Sequence, residues 1–169
     1  MTHLKKAALL VALLAVSACT NPDRFGNGDG GGPGGIESAE LGSPGDPTSP
    51  AYFQQTIGDR VLFAVDESTL SPEARSILSE QAIWLLDNRD YNAVIEGHAD
   101  EQGTREYNLA LGARRASAVQ QFLIAQGVSP DRLQTVTYGK ERPLEVCSAE
   151  SCYAKNRRAV TVITAGGIS

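Results

Sequence analysis

The sequence predicts a two-layer α/β domain of the α+β type, with a β-α-β-α-β-β order, a mixed four-stranded sheet and the helices on one face. Three observations lead there. Short runs rich in β-branched residues alternate with two long stretches of helical apolar spacing. The last two such runs follow one another with no helical pattern between them. Residues 51–169, which hold all of these patterns, suffice for one core but not for two.

The first strand is expected from Arg60 to Val65, bounded by Gly58-Asp59 and Asp66. Ser71-Pro72-Glu73 then supplies an N-cap residue, a proline at the first helical position and an acid in the first turn. Ala74, Ile77, Leu78, Ala82, Leu85 and Leu86 follow at helical spacing, so a helix is expected to end near Asn88. Trp84 lies one position off that stripe and is expected to be a partly buried packing residue. Asn92 to Gly97 reads as the second strand. After a polar stretch from His98 to Arg105, a second helix carries Leu109, Ala113, Ala116, Val119 and Leu123 until Gly127 stops it. Ser129-Pro130-Asp131 begins a further turn, Gln134 to Tyr138 is the third strand and Arg158 to Thr164 the fourth, with an irregular segment between them.

Residues 1–50 follow different rules. Lys5 and Lys6 precede an apolar run of ten residues, Ala7 to Val16, and small residues follow, as in a secretory signal peptide over residues 1–18. A membrane span needs about 20 apolar residues, so this run is not one. Its end, Ala15-Val16-Ser17-Ala18-Cys19, resembles the lipobox of bacterial lipoproteins, in which the cysteine is acylated and becomes the new N-terminus. Thr20 rather than Asp after Cys19 favours, by the same resemblance, the outer membrane. From Thr20 to Pro50 the chain has nine Gly and five Pro in 31 residues, too few apolar side chains for a core, and residues 19–50 are expected to be the lipidated Cys and a flexible linker.

Cleavage removes Lys5 and Lys6, leaving 13 basic against 20 acidic residues, and the resulting net charge of −7 argues against nucleic acid as a partner. It also removes His3. His98 is then the only histidine, which excludes a multi-histidine metal site. Cys147 and Cys152 remain as an even pair in an oxidising compartment, and a disulfide is expected. The alternatives are two free thiols or half of a zinc site, and the zinc version lacks further ligands.

The stretch from Ile95 to Ala116, IEGHADEQGTREYNLALGARRA, resembles the signature of the OmpA-like peptidoglycan-binding domain family. Tyr138-Gly-Lys-Glu-Arg-Pro143 and Asn156-Arg-Arg-Ala-Val160 extend the match over about residues 51–164, and the lipobox and linker agree with the lipid-anchored members that work with the Tol proteins. Departures are Val65, where an aromatic is common, Gln102, where Arg is usual, and the Cys147/Cys152 loop, present only in some relatives. The resemblance implies a domain at residues 51–169 in the periplasm, held to the outer membrane through lipidated Cys19. This domain would bind the diaminopimelate of peptidoglycan stem peptides, with no cofactor and no metal, and would dock with the TolB propeller and other Tol proteins. It would thereby tether the outer membrane to the wall and support envelope integrity and cell division. Carried over position by position, the pocket is Phe63, Asp66, Asp100, Thr104, Asn108, Leu111 and Arg115.

Diaminopimelate offers a carboxylate and an ammonium on one carbon, so a reader of it wants a bidentate planar cation and an acid, roles open to Arg115 and Asp100. Asn108, Gly112 and Arg115 share one helix face near the loop bearing Asp100, and free N–H groups at the helix start would favour the ligand's carboxylate further. The alternative is an intramolecular ion pair that only fixes loop to helix. The Cys147–Cys152 loop is small and far in sequence from Asp100, so it is expected to be dispensable for binding. His98 is expected to be structural, because no nucleophile motif accompanies it. Arg157 and Arg158 are expected on opposite faces of a strand, one in an ion pair with the loops and the other solvated. Two rival classes are an enzyme with Glu96 and Asp100 or Glu101 as paired carboxylates, and a lipoprotein that only holds other envelope proteins. The first rival lacks room for a sugar cleft. The small-residue run into Cys19 predicts that Cys19→Ser abolishes lipidation and outer-membrane retention; incorporation of labelled palmitate equal to wild type would contradict it.

Overall fold

The computed structural model describes residues 41–166. The signal peptide, Cys19 and the linker up to residue 40 lie outside the described residues. The first element is a helix, α1 (Pro50–Tyr52), that continues as a wider turn over Phe53–Gly58, and neither was expected from the sequence. Next come β1 (Arg60–Leu62), α2 (Pro72–Asp87), β2 (Tyr91–His98) and α3 (Arg105–Ala125). A short 3₁₀ turn (Pro130–Arg132) leads into β3 (Leu133–Gly139), α4 (Glu150–Asn156) and β4 (Arg158–Ala165).

Local chemistry accounts for most of these boundaries. Ser71 Oγ accepts the amide of Ala74 at 3.1 Å and Thr104 Oγ1 accepts that of Tyr107 at 3.2 Å, each satisfying one of the donors that a helix start leaves free. Gly127 takes φ +103°, and the amide of Val128 returns to Leu123 O at 3.1 Å, closing α3. The segment between the third and fourth strands is not wholly irregular, because it contains α4, a single short helix with too few apolar positions to show a period.

The sheet order is β1-β4-β2-β3. β2 pairs parallel with β3 (Val94 opposite Gln134) and antiparallel with β4 (Val94 opposite Val162), and β1 pairs antiparallel with β4 at the edge. β1 is shorter than predicted. The amide of Phe63 still reaches Arg157 O at 2.9 Å, but the chain then leaves the sheet, and Asp66 takes φ +61°, a left-handed conformation uncommon for a non-glycine residue.

Ala93, Ile95, Ala159 and Ile163 of the central strands join Leu78, Leu85, Val119 and Leu123 of the two long helices in one core, so α2 and α3 cover the same face. Gln81, fully buried among them, is satisfied by donating to Gly58 O (2.6 Å) and accepting from Thr161 Oγ1 (2.8 Å). α3 crosses β2 with glycine against glycine. A Cβ on Gly97 would stand 1.9 Å from Gly112 O, and one on Gly112 2.4 Å from Thr137 Oγ1. This close approach brings the N-terminal half of α3 beside the loop that follows β2.

Two expectations about burial change together. Residues 41–50 are not free linker, because the Ala51 amide donates to Leu41 O (2.7 Å), Ser49 caps α1, and Pro50 is buried. Trp84 is correspondingly 4 % exposed rather than partly buried: its indole N–H donates to Pro47 O at 2.7 Å and its ring packs 5.0 Å from Phe53 and 5.4 Å from Tyr91. The cover comes from a segment whose composition reads as linker.

On the opposite face of the sheet His98 is 1 % exposed, its ring 5.5 Å from that of Tyr138 and its Nε2 3.5 Å from Glu96. Neither arginine of the pair expected to be split between an ion pair and solvent is solvated: Arg158 is buried on this face and donates to Arg142 O (3.2 Å), while the Arg142 guanidinium lies over the Tyr138 ring. Burial holds the His98 imidazole below its ordinary range, helped by the charges of Arg158 and Arg142 and opposed by Glu96.

Two predictions follow from this packing. A fragment starting at Leu41 is expected to be more stable than one starting at Ala51 by about 1–3 kcal/mol, from the lost cover of the Trp84 ring and its lost hydrogen bond, read from their urea unfolding curves. Because folded His98 binds its proton more weakly than the unfolded chain does at about pH 6.5, its contribution to stability is present above that pH and is lost as pH falls below it. His98→Gln is expected to flatten the decline of urea-derived stability between pH 7.5 and 5; an unchanged slope would refute this.

Candidate functional site

A pocket of about 220 Å³ opens where the chain leaves β1, where it leaves β2 and where α3 begins. Its lining comprises Val65 and Asp66 from the first of these, Asp100, Gln102 and Gly103 from the second, and Tyr107, Asn108, Leu111 and Arg115 from α3. Each loop is held by its own bonds. Gln102 donates its amide to Asp100 Oδ1 (3.2 Å), and Asn108, 1 % exposed, donates its side-chain amide to Gln102 O (2.7 Å). These two contacts shape the turn that presents Asp100.

Arg115 forms the floor and is fully buried. Its Nε donates to Glu67 O (2.8 Å), Nη1 to His98 O (2.8 Å) and Nη2 to Ala64 O (3.1 Å), and the Phe63 ring lies 5.1 Å from its guanidinium carbon. Of five guanidinium donors these bonds use three, leaving one N–H on each terminal nitrogen. Burial lowers the Arg115 pKa to about 10, partly offset by Asp100, so the group is still cationic at neutral pH.

Asp100 pairs with a residue the sequence reading did not assign to it. Its Oδ2 accepts from Arg157 Nη1 at 3.1 Å; Arg157 Nε donates to Phe63 O (3.2 Å), and Nη2 donates to Glu150. Burial opposes the charge on Arg157, yet the carboxylates of Glu150 and Asp100 together outweigh it and hold its proton more tightly than usual. At the mouth, the Tyr107 hydroxyl donates to the Asp66 carboxylate, and the Arg114 guanidinium carbon stands 5.9 Å from the Tyr107 ring.

Of the seven residues carried over, Asp66, Asp100, Asn108, Leu111 and Arg115 line the pocket. Phe63 lies behind it against Arg115, and Thr104 serves as the cap of α3, so the amide of Tyr107 is occupied and not free for a ligand. Val65, Gln102, Gly103 and Tyr107 also line it and were not among the seven; Tyr107, four residues before Leu111 on the same helix face, was within reach of the helical period. Arg157 was not, since nothing local ties it to an acid 57 residues earlier. Cys147 and Cys152 are joined by a disulfide, Cα to Cα 6.0 Å. Among the described residues no group of three or more His, Cys, Asp or Glu side chains is placed to hold a metal ion.

The arrangement sets one buried cation with two donors to spare between two carboxylates, Asp66 and Asp100. Such a site suits a zwitterionic amino-acid group better than a simple anion or cation.

Residues 62–157 match the model of the OmpA family. The chain is 47 % identical over 158 residues to a peptidoglycan-associated lipoprotein of Mesorhizobium japonicum, covering 94 % of this chain and 90 % of the relative. It is 45 % identical over 161 residues to one from Brucella melitensis, covering 95 % and 92 %. Among solved structures, the peptidoglycan-associated lipoprotein of Burkholderia pseudomallei superposes with a TM-score of 0.65 at 33 % identity, covering 73 % of this chain and 98 % of that one. Family model, near-full-length identity and fold agree, and the chain belongs to the OmpA family, in the group of the peptidoglycan-associated lipoproteins.

Proposed function

We propose that this chain is a non-catalytic outer-membrane lipoprotein, anchored through acylated Cys19, whose domain in the periplasm binds peptidoglycan through the diaminopimelate of the stem peptide. The observation that carries this reading is Arg115, buried and cationic, with two unassigned donors in a pocket walled by Asp66 and Asp100. The two donors take the side-chain carboxylate of diaminopimelate, and Asp100 takes the ammonium on the same carbon. The names of its relatives support attachment to the wall, and the run of small residues into Cys19 supports the lipid anchor. In this reading the protein tethers the outer membrane to the wall as part of the Tol–Pal system, docks with TolB and other Tol proteins, and supports envelope integrity and cell division.

The test is titration of the purified full-length protein with a diaminopimelate muropeptide and with its lysine analogue, which lacks the side-chain carboxylate. Wild type is expected to prefer the diaminopimelate form by more than tenfold; equal affinity would withdraw the role given to Arg115. Asp100→Asn is expected to weaken binding more than tenfold, since truncating one side of a desolvated charge pair costs about 2–5 kcal/mol. Arg115→Lys is expected to fail as well, because an ammonium cannot span a carboxylate with two parallel bonds. Arg115→Ala is expected to be destabilised as well, because three carbonyls lose their donor and that of His98 is buried.

A further inference from the structure

The segment from Leu144 to Asn156 is tied at both ends. At its far end Asn156 Oδ1 accepts the amides of Leu144 (2.8 Å) and Glu145 (3.1 Å), and its Nδ2 donates to Glu145 O (2.8 Å). Its second half is α4, seven residues long, whose N-cap residue Ala149 makes no side-chain capping bond. So short a helix without a cap frays in water. Here a covalent restraint holds the helix start instead: Cys147 precedes the N-cap by two residues, Cys152 lies in the first turn, and the disulfide between them staples that turn to the chain before it.

Glu150 is inside the stapled ring, at the first position of α4, and its carboxylate receives Arg157 Nη2. Each edge of the Arg157 guanidinium is thereby assigned, to Glu150, to Asp100 and to Phe63 O. The charges matter as much as the bonds. Arg157 and Asp100 are both largely buried, whereas the Glu150 side chain is 64 % exposed and is not part of the pocket lining. Glu150 balances the Arg157 cation from behind; without it the guanidinium would be balanced by Asp100 alone and would draw that carboxylate away from a ligand.

We infer that Glu150, fixed in place by the Cys147–Cys152 disulfide, is a positioning residue that aims the Asp100 carboxylate into the pocket by way of Arg157. The inference rests on the reading of Asp100 as the acceptor of the ligand's ammonium. It makes the disulfide loop, which sequence distance marks as dispensable, part of the site's support.

The experiment uses the full-length protein purified under oxidising conditions and a diaminopimelate tripeptide muropeptide as probe. Glu150→Gln and the Cys147→Ser/Cys152→Ser double variant are made alone and with Asp100→Asn, and melting curves accompany each titration. Each is expected to weaken binding three- to tenfold in the wild-type background and to add nothing in the Asp100→Asn background, the non-additivity of groups acting through one another. Glu150→Asp is expected to restore part of the loss. An affinity unchanged in Glu150→Gln, or a loss of the same factor in both backgrounds, overturns the inference. A second readout needs no ligand. The Gln102 amide bonds to Asp100 Oδ1, so its nuclear magnetic resonance signal is expected to shift in Glu150→Gln. If wild type binds no muropeptide, the proposed function falls and this signal alone decides the coupling: a shifted resonance upholds it and an unshifted one overturns it.

Discussion

The guanidinium of Arg115 is the group on which the rest of the site depends. A buried charge without partners is far too costly to keep, and here the partners are backbone carbonyls from two separate loops: Ala64 and Glu67 after β1, and His98 at the end of β2. The same three bonds therefore solvate the cation and set the paths of both loops. They account for the early departure of β1 from the sheet, because Ala64 O turns toward α3 immediately after the Phe63 amide has bonded to Arg157 O, just before β4 begins. They also account for Asp66 in a left-handed conformation, held between the carbonyls on either side. A residue in so sparsely populated a region persists only where its surroundings over-determine it.

Arg115 reaches those carbonyls only because α3 lies very close to β2. Gly97 and Gly112 face one another with no room for a methyl group, and Thr137 Oγ1 donates to Leu109 O across the same contact at 3.0 Å. A helix seated this low places Asn108, Leu111 and Arg115, one turn apart, at the level of the loop carrying Asp100. The rigid crossing and the loops beside it divide the labour usual in binding domains, where scaffold elements supply position and loops supply chemistry.

Charge is distributed with the same economy. Arg115 carries the positive side of the pocket and Asp66 and Asp100 the negative, while Arg157 is balanced by one carboxylate inside the pocket wall and one outside it. The three residues Asn156, Arg157 and Arg158 take three separate tasks: Asn156 closes the loop behind α4, Arg157 braces Asp100, and Arg158 fills the outer face of the sheet against Arg142 O. A membership in the OmpA family explains why these residues occur together, and the bonds explain what each does.

Much of the fold was legible in the sequence because its determinants are local. Ser71-Pro72 and Gly127 mark helix ends through bonds to residues within five positions, and the apolar period of α2 and of the later half of α3 names the core face, although Ala113 of the expected stripe is exposed and the Thr104 cap was not read. The helical half of the pocket, Asn108, Leu111 and Arg115, could be read from the same period together with the family signature. Tertiary structure decided the rest, and in each case the deciding contact joins residues far apart in the chain. Pro47 covers Trp84 from a segment whose glycine and proline content reads as linker; Arg115 bonds to three carbonyls from distant parts of the chain; Asp100 pairs with Arg157, and Arg157 with Glu150. A one-dimensional pattern records which residues can bury or cap near their own position. It holds no record of which distant carbonyl or carboxylate a long, five-donor side chain will find, because that is set by where the sheet and helices bring the backbone once they have packed.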